Sequence, residues 1–123
     1  MCYYYNKTPY MMITESYMDG RDIYTIKIGQ NKTENWRLLD NSNPDNIWFH
    51  VSDAPSAYVV LDTACEIKDV PKRVLYRCAV LCKLRSKSCK ERNINVNYTY
   101  VRNVSKGENT GEAIMQKAKI IRV

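Results

Sequence analysis

The chain has 123 residues, of which 45% are hydrophobic and 26% are charged, and its formal net charge is +6. This length suits one domain with a hydrophobic core, and the balance of residues is typical of a globular protein rather than a disordered one. No apolar run is long enough to cross a bilayer and the first residues lack the pattern of a signal peptide, so we expect no membrane partner and a cytoplasmic location. A moderately basic domain attracts polyanions, of which nucleic acid is the commonest.

Cysteine usage bears on metal binding. Five cysteines are present, and Cys78, Cys82 and Cys89 fall close together in the sequence. A zinc site needs four ligands that usually come in close pairs. The chain has no Cys-x-x-Cys pair, and its single histidine, His50, is far from these residues in the sequence. We therefore expect no metal and no cofactor, and small buried thiols in a reducing compartment.

The N-terminal part of the chain predicts an antiparallel hairpin or meander over residues 2–28. Residues 3–5 and 10–13 favour strands, and residues 19–22, Asp-Gly-Arg-Asp, are typical of a turn. A strand at residues 23–28 follows, and its alternation puts three side chains on the core face: Tyr24, Ile26 and Ile28. A short helix is predicted next, over residues 30–41, and the side-chain oxygen of Asn31 or Thr33 can cap its N-terminus.

Two short apolar runs, residues 47–51 and 58–61, predict a pair of strands around a turn that carries Asp53 and Pro55. Alternation puts Trp48 and His50 on one face of the first strand and the other three residues on the opposite face. This aromatic pair is either a binding surface beside the turn, or a core tryptophan with a structural histidine. Both interpretations stay open at the level of the sequence.

A long helix is predicted over residues 71–86, with Asp69 as its cap and Pro71 in its first turn, where proline is favoured. Its apolar stripe consists of Val74, Leu75, Cys78, Ala79, Leu81 and Cys82. A dense set of cations covers its end: Lys83, Arg85, Lys87, Lys90 and Arg92. The helix macrodipole explains only part of this density, because its effect falls off within the last turn.

The remaining pattern predicts strands at residues 94–101 and 117–123, separated by a loop at residues 106–111. The first of these strands would point Ile94, Val96, Tyr98 and Tyr100 to one side. Strands that outnumber helices in this order predict an α+β fold, a largely antiparallel sheet with one long and one short helix packed on one face.

Several motifs resemble those of the NFACT-R domain. Gly29, Asn31, Asn35 and Leu38 match its Gly-x-Asn-x-x-x-Asn-x-x-Leu segment. Residues 45–50, Asp-Asn-Ile-Trp-Phe-His, take the place of its Asp-Ile-Trp-[Leu/Phe]-His, and residues 57–59 take the place of a Ser-His-Val-like strand. The likeness covers the chain from about residue 23 onward. It is greatest to the stand-alone eukaryotic group of coiled-coil-domain-containing proteins, whose Asp-Ile-Pro-Lys looks like residues 69–72.

NFACT-R is the RNA-binding domain of ribosome-associated quality-control factors of the fibronectin-binding-protein-A-like family. The resemblance implies one domain over residues 1–123 that binds RNA of the tRNA or rRNA type, with the ribosome or translation factors as further partners. Some stand-alone members are described as binding DNA. The resemblance, together with the cations and aromatic side chains, predicts these nucleic-acid-binding residues: Lys83, Arg85, Lys87, Lys90, Arg92, Asn35, Arg37, Trp48, His50 and Tyr58.

Two positions depart from the family pattern. Asn46 stands where the family has a second acidic residue, and Tyr58 stands where it has a second histidine. If the acidic residue orients His50, an asparagine there still accepts a hydrogen bond but does not stabilise an imidazolium. A phenol keeps stacking and hydrogen bonding, so Tyr58 favours binding over catalysis.

Two alternatives stay open. One is a protein-interaction module that docks on ribosomal or translation-factor protein without touching RNA. The other is a hydrolase that uses His50, since nucleophilic catalysis usually needs a base beside the nucleophile. The sequence has neither a Gly-x-Gly-x-x-Gly loop nor a phosphate-binding Gly-Lys-Ser/Thr motif, so we expect no enzymatic activity and no catalytic residues.

Overall fold

The computed structural model describes residues 12–123. In chain order these residues form strand β1 (Ile13–Asp19), β2 (Asp22–Ile28), helix α1 (Lys32–Asn41), β3 (Ile47–Val51), β4 (Val59–Asp62), helix α2 (Lys72–Leu84), β5 (Asn95–Tyr100), β6 (Val104–Lys106), β7 (Ala113–Met115) and β8 (Lys119–Arg122). Short 3-10 turns precede α2 and follow β5, at Ile67–Asp69 and Val101–Asn103. The predicted α+β class, with one long and one short helix, is confirmed.

Six of the described strands form one antiparallel sheet in the order β1-β2-β4-β3-β5-β8, while β6 and β7 pair as a separate small hairpin. Strand β3 lies in the interior of the sheet, where Phe49 is opposite Val59 of β4 and Tyr98 of β5. Its neighbours on both sides satisfy its backbone groups. The paired strands predicted at residues 47–51 and 58–61 are therefore confirmed.

The first hairpin turns at Gly20, whose positive φ of 62° suits glycine, and the turn predicted at residues 19–22 is confirmed. Strand β2 buries Tyr24, Ile26 and Ile28 as its alternation predicts. Strand β1 extends well beyond residue 13, where the prediction ended, because pairing with β2 supports a half-exposed and polar sequence. The strand predicted at residues 3–5 lies outside the described residues.

Helix α2 packs against the face of the sheet that holds Ile47, Phe49 and Val51. The six residues of its predicted apolar stripe are all buried there. The prediction that Asp69 caps this helix is wrong. Pro71 is the N-cap residue without a side-chain cap, and Asp69 lies in the preceding 3-10 turn.

The opposite face is also covered. Leu38 and Leu39 of α1 pack there against Trp48, Tyr58 and Val60. The prediction that both helices lie on one face is therefore wrong, because each helix covers a different face of the sheet. Strand β3 is accordingly buried on both faces, with only His50 half-buried. Asn31 caps α1 as predicted, since its Oδ1 accepts a hydrogen bond from the Glu34 N–H at 2.9 Å.

The hairpin β6–β7 shares the α1 face, where Val104, Ala113 and Met115 pack on the same apolar cluster. Its two strands have three residues each, so they are too short to be recognised from an alternating pattern. The loop between them overlaps the loop predicted at residues 106–111. The strands predicted at residues 94–101 and 117–123 are confirmed as β5 and β8. Among the helices described, none has the length and apolar character to span a membrane.

Candidate nucleic-acid interface

The end of α2 and the loop after it, residues 83–92, carry five cations and are called the basic segment below: Lys83, Arg85, Lys87, Lys90 and Arg92. Lys83 donates a hydrogen bond from its Nζ to an oxygen of Val123, the last residue, at 3.3 Å. None of the other four forms an ion pair with any residue of the described part of the chain. Six cations elsewhere do so, namely Lys27, Lys68, Arg73, Arg77, Arg102 and Lys106. Lys87, Lys90 and Arg92 are exposed, whereas Lys83 and Arg85 are half-buried. Four cations of the basic segment therefore present positive charge that no ion pair in the described part of the chain neutralises.

Buried serines hold the basic segment in place. The Ser86 hydroxyl donates to the Lys83 carbonyl at 2.8 Å and accepts from the Ser88 N–H at 3.1 Å. Both serines are buried, although their neighbours Arg85 and Lys87 reach solvent. Ser and cation thus alternate along the loop, and the hydrogen bonds of the serines order the backbone between the charges.

A second set of contacts joins the basic segment to the loop between β3 and β4. The Ala57 N–H donates to the Arg85 carbonyl at 3.2 Å, and the Lys87 N–H donates to the Pro55 carbonyl at 3.5 Å. Ser56 and Ser86 form a β-bridge between these two contacts. The loop after β3 therefore lies directly beside the basic segment.

On its other side, this loop borders a pocket of about 650 Å³, called the His50 pocket below. Loop residues Asp53, Ala54 and Pro55 line it together with His50 at the end of β3. Pro55 thus contacts both features. Its carbonyl accepts a hydrogen bond from the Lys87 N–H of the basic segment, and Pro55 also lines the pocket. The predicted cations and the predicted histidine are brought to two sides of one short loop.

Trp48 is fully buried, with 0% of its surface exposed. Its ring lies parallel to that of His50, with centroids 5.7 Å apart and an interplanar angle of 2°. Tyr58 approaches both rings edge-on, at 5.3 Å from Trp48 and 5.5 Å from His50. Trp48 therefore supports the half-buried His50 from the core and offers no surface for a ligand to stack on.

Burial lowers the pKa of His50 to about 4, and a hydrogen bond to the backbone of Val51 offsets part of this effect. The imidazole is therefore neutral at pH 7. A neutral ring is a poor partner for phosphate, so the charge for phosphate binding has to come from elsewhere. The hydrogen bond to Val51 uses one ring nitrogen, so the other nitrogen remains for a ligand.

Tyr58 and Asn35 are buried and connect the elements around the His50 pocket. The Asn35 Oδ1 accepts from the Tyr58 N–H at 3.0 Å, and its Nδ2 donates to the Ser56 carbonyl at 3.3 Å. The Tyr58 hydroxyl donates to the Gly111 carbonyl in the β6–β7 loop at 2.6 Å. The side chains of Asn35 and Tyr58 thus position α1, the loop after β3 and the hairpin relative to one another.

Arg37 is exposed on α1, which covers the face of the sheet opposite to α2. Asn46 lies at the other end of β3 from His50. Its Oδ1 accepts from the Asn43 N–H at 3.0 Å, and its Nδ2 donates to Asp62 and to the Thr63 carbonyl. The departure from the family pattern at Asn46 therefore bears on that loop and not on His50.

The free thiols of Cys78 and Cys82 are buried on the inner face of α2, and burial raises the pKa of both. The expectation of small buried thiols is wrong for the other two described cysteines, because Cys65 is exposed and Cys89 is disulfide-bonded. A raised thiol pKa opposes both metal binding and nucleophilic chemistry, since each needs the thiolate. Within residues 12–123, no three His, Cys, Asp or Glu side chains are grouped closely enough to hold a metal ion.

Sequence reasoning missed the far wall of the His50 pocket, which consists of Lys32, Asn97, Thr110, Gly111, Glu112, Ala113 and Met115. These residues come from α1, β5 and the β6–β7 hairpin, and no spacing in the sequence connects them to His50. Gly111 carried the one local signal, because a loop glycine with positive φ often marks a close approach of two chain segments.

Comparison with known proteins identifies the family. Residues 3–120 match the family described as NFACT protein RNA binding domain, which confirms the resemblance noted in the sequence. Coiled-coil domain-containing protein 25 of Mus musculus is 44% identical over 86 residues, 68% of this chain. Its Dictyostelium discoideum homolog is 31% identical over 104 residues, 80% of this chain. The chain spans 41% of the first relative and 50% of the second.

A solved structure has the same fold. The C-terminal part of the fibronectin/fibrinogen-binding protein from Streptococcus suis superposes with a TM-score of 0.79 over 96% of this chain and 47% of that one, at 24% sequence identity. The family match over almost the whole length, and the identity to the curated relatives, support a nucleic-acid-binding role or a related one. This chain belongs to the NFACT protein RNA binding domain family.

Proposed function

We propose that this chain binds RNA, of the tRNA or rRNA type, through the phosphate groups that contact the basic segment. The observation that carries the proposal is a set of four cations without ion-pair partners in the described part of the chain, on a loop whose backbone is held by Ser86 and Ser88: Arg85, Lys87, Lys90 and Arg92. Family membership gives the class of ligand. Phosphate contacts supply most of the affinity in such complexes, because each one releases condensed counterions.

A fluorescence anisotropy titration with tRNA tests the proposal. One variant removes three exposed cations of the basic segment: Lys87→Gln, Lys90→Gln and Arg92→Gln. The matched control removes three exposed cations elsewhere that likewise form no ion pair in the described part of the chain, one arginine and two lysines again: Arg21→Gln, Lys72→Gln and Lys119→Gln. Both variants lower the net charge equally, so any difference between them reports the position of the charges.

We expect the basic-segment variant to bind tRNA at least about tenfold more weakly than the control variant at 0.15 M salt. Equal affinities of the two variants would contradict the proposal, because the interaction would then follow net charge alone. Competition experiments with an rRNA fragment, and with single-stranded DNA of the same length, then rank these ligands and tRNA by affinity.

We further propose that this binding serves translation or ribosome-associated quality control in the cytoplasm, by contact rather than by catalysis. Family membership supports this role, and co-sedimentation with ribosomes tests it. Protein partners that survive nuclease treatment of a pull-down would instead favour an interaction module that does not touch RNA. Turnover of nucleotide substrates that is lost in His50→Ala would favour a hydrolase.

A further inference from the structure

The His50 pocket has two walls from distant parts of the chain. One wall is the end of β3 with the loop that follows it, including His50 and Pro55, and the other is the β6–β7 hairpin with Gly111 and Met115. Its volume of about 650 Å³ falls in the range of sites that hold small organic groups. The pocket lies beside the basic segment, from which it is separated only by residues 53–56.

Hydrogen bonds fix the hairpin wall in place. Besides the contact of Tyr58 with Gly111, the Trp36 Nε1 donates to the Glu112 carbonyl at 2.9 Å. Lys106 pairs with Asp40 of α1 at 2.7 Å. Gly111 packs so tightly on α1 that a Cβ there would lie 2.6 Å from the Cβ of Lys32. A pocket with walls held in this way is formed before any ligand arrives, which lowers the entropic cost of binding.

The lining distinguishes the interior from the rim. Buried or half-buried positions supply apolar side chains, Val51, Ala54, Ala113 and Met115, together with the neutral imidazole of His50 and the amide of Asn97. The Asn97 Oδ1 accepts from the Ser52 hydroxyl at 2.9 Å. Its amide nitrogen has no hydrogen-bond partner within the described part of the chain, so it can donate to a ligand.

The charged lining residues are all exposed and lie at the rim: Lys32, Asp53 and Glu112. Two carboxylates against one ammonium repel a phosphate, so the anionic backbone of a nucleic acid is disfavoured inside the pocket. An apolar interior with an amide and a neutral imidazole suits a flat, uncharged group with hydrogen-bonding edges. A nucleobase has this chemistry.

We propose that the His50 pocket receives one unpaired nucleobase of an RNA strand whose phosphates lie on the basic segment, an inference that rests on the proposed function. The base enters between the loop after β3 and the β6–β7 hairpin, where His50 and Asn97 contact its polar edge. A base-paired nucleotide cannot enter in this way, so the protein prefers single-stranded or looped RNA to a duplex.

Two RNA strands of about twelve nucleotides test the inference, one with all its bases and one with the same sugar-phosphate backbone but no bases. The variant Ala113→Leu fills the pocket, and Ala118→Leu makes the same change at an exposed position that does not line it. Thr110→Leu fills the pocket from the exposed loop, where it leaves the core intact even if Ala113→Leu perturbs folding. All variants keep the charge of the parent chain.

We expect the parent chain and Ala118→Leu to bind the complete strand about tenfold more tightly than the strand without bases. Both pocket variants should lose this preference while their affinity for the strand without bases stays unchanged. The inference is overturned if the parent chain shows no preference, or if Thr110→Leu retains the full preference. In that case the proposed function still stands if the Lys87, Lys90 and Arg92 variant binds both strands more weakly than the parent chain. If that variant binds both strands as tightly as the parent chain, the proposed function and the pocket inference are both wrong.

Discussion

His50 shows how one side chain takes its properties from the residues beneath it. Trp48 covers one face of its ring and Tyr58 contacts it edge-on, and this burial keeps the imidazole neutral at pH 7. A charged histidine would compete with the basic segment for phosphate, whereas the neutral ring keeps one nitrogen, the one not bonded to Val51, for an uncharged partner. Trp48 itself does not reach solvent, because Leu38 and Leu39 of α1 pack over it. Trp48 and His50 share a sheet face as alternation predicts, but only His50 reaches the surface.

The lowered pKa of His50 predicts a pH dependence of stability. The pKa is about 4 in the folded chain against 6.5 in the unfolded chain, so only the unfolded chain takes up a proton between these values. The stabilisation is complete above pH 6.5 and is lost as the pH falls toward 4. We expect the free energy of unfolding to drop by about 1 to 2 kcal/mol from pH 7.5 to pH 5.

Urea unfolding at these two pH values measures the drop, with His50→Gln as the comparison. His50 is the single histidine of the chain, so the variant should lose most of the pH dependence above pH 5, where carboxylates contribute little. A drop of the same size in His50→Gln would show that other groups cause it.

Gly111 is the residue at which the hairpin meets α1. It has a φ of +91°, and a Cβ there would lie 2.6 Å from the Cβ of Lys32. We expect Gly111→Ala to lower the free energy of unfolding by about 1 to 3 kcal/mol in urea titrations. Gly20→Ala is the control, since its φ of +62° carries the conformational strain but nothing lies within 4 Å of the added Cβ. Equal losses in both variants would mean that the contact with Lys32 adds nothing.

At the scale of the elements, periodicity predicts which side chains face the core, but not what covers each face. The buried stripe of α2 and the core face of β2 follow from spacing in the sequence. The positions of α1 and of the β6–β7 hairpin do not, because they depend on contacts between residues far apart in the chain, such as Tyr58 with Gly111. The basic segment was predictable because its cations are close together in the sequence. The far wall of the His50 pocket was not, because its residues come from distant parts of the chain.

The alternation of serine and cation in the basic segment makes a prediction at this scale. Ser86→Ala removes the acceptor of the buried Ser88 N–H, which costs about 1 to 3 kcal/mol if no water replaces it. We expect weaker tRNA binding without any change of charge, because the backbone between Arg85 and Lys87 loses its order. Ser105→Ala, at an exposed position in β6, is the control and should bind like the parent chain. Unchanged affinity in Ser86→Ala would contradict a role for this ordering.

At the scale of the whole molecule, the described residues form a sheet with α2 on one face, and α1 and the β6–β7 hairpin on the other. The fold neutralises cations on α2, β2 and the small hairpin with carboxylates. Within the described part of the chain it leaves four cations of the basic segment without an ion pair: Arg85, Lys87, Lys90 and Arg92. The His50 pocket lies on the other side of the loop that contacts this segment. The proposed source of affinity, the cations, and the proposed source of selectivity, the pocket, are therefore neighbours in the fold.

The salt dependence of RNA affinity tests the central claim most directly. The logarithm of the association constant for tRNA is measured against the logarithm of salt concentration for the parent chain, the Lys87, Lys90 and Arg92 variant, and the Arg21, Lys72 and Lys119 control. If the three residues of the basic segment contact phosphates, their removal lowers the steepness of the slope by about 2 to 3, at roughly 0.7 to 0.9 per lost contact, while the control keeps the parent slope. A slope that is the same in all three proteins would contradict the account.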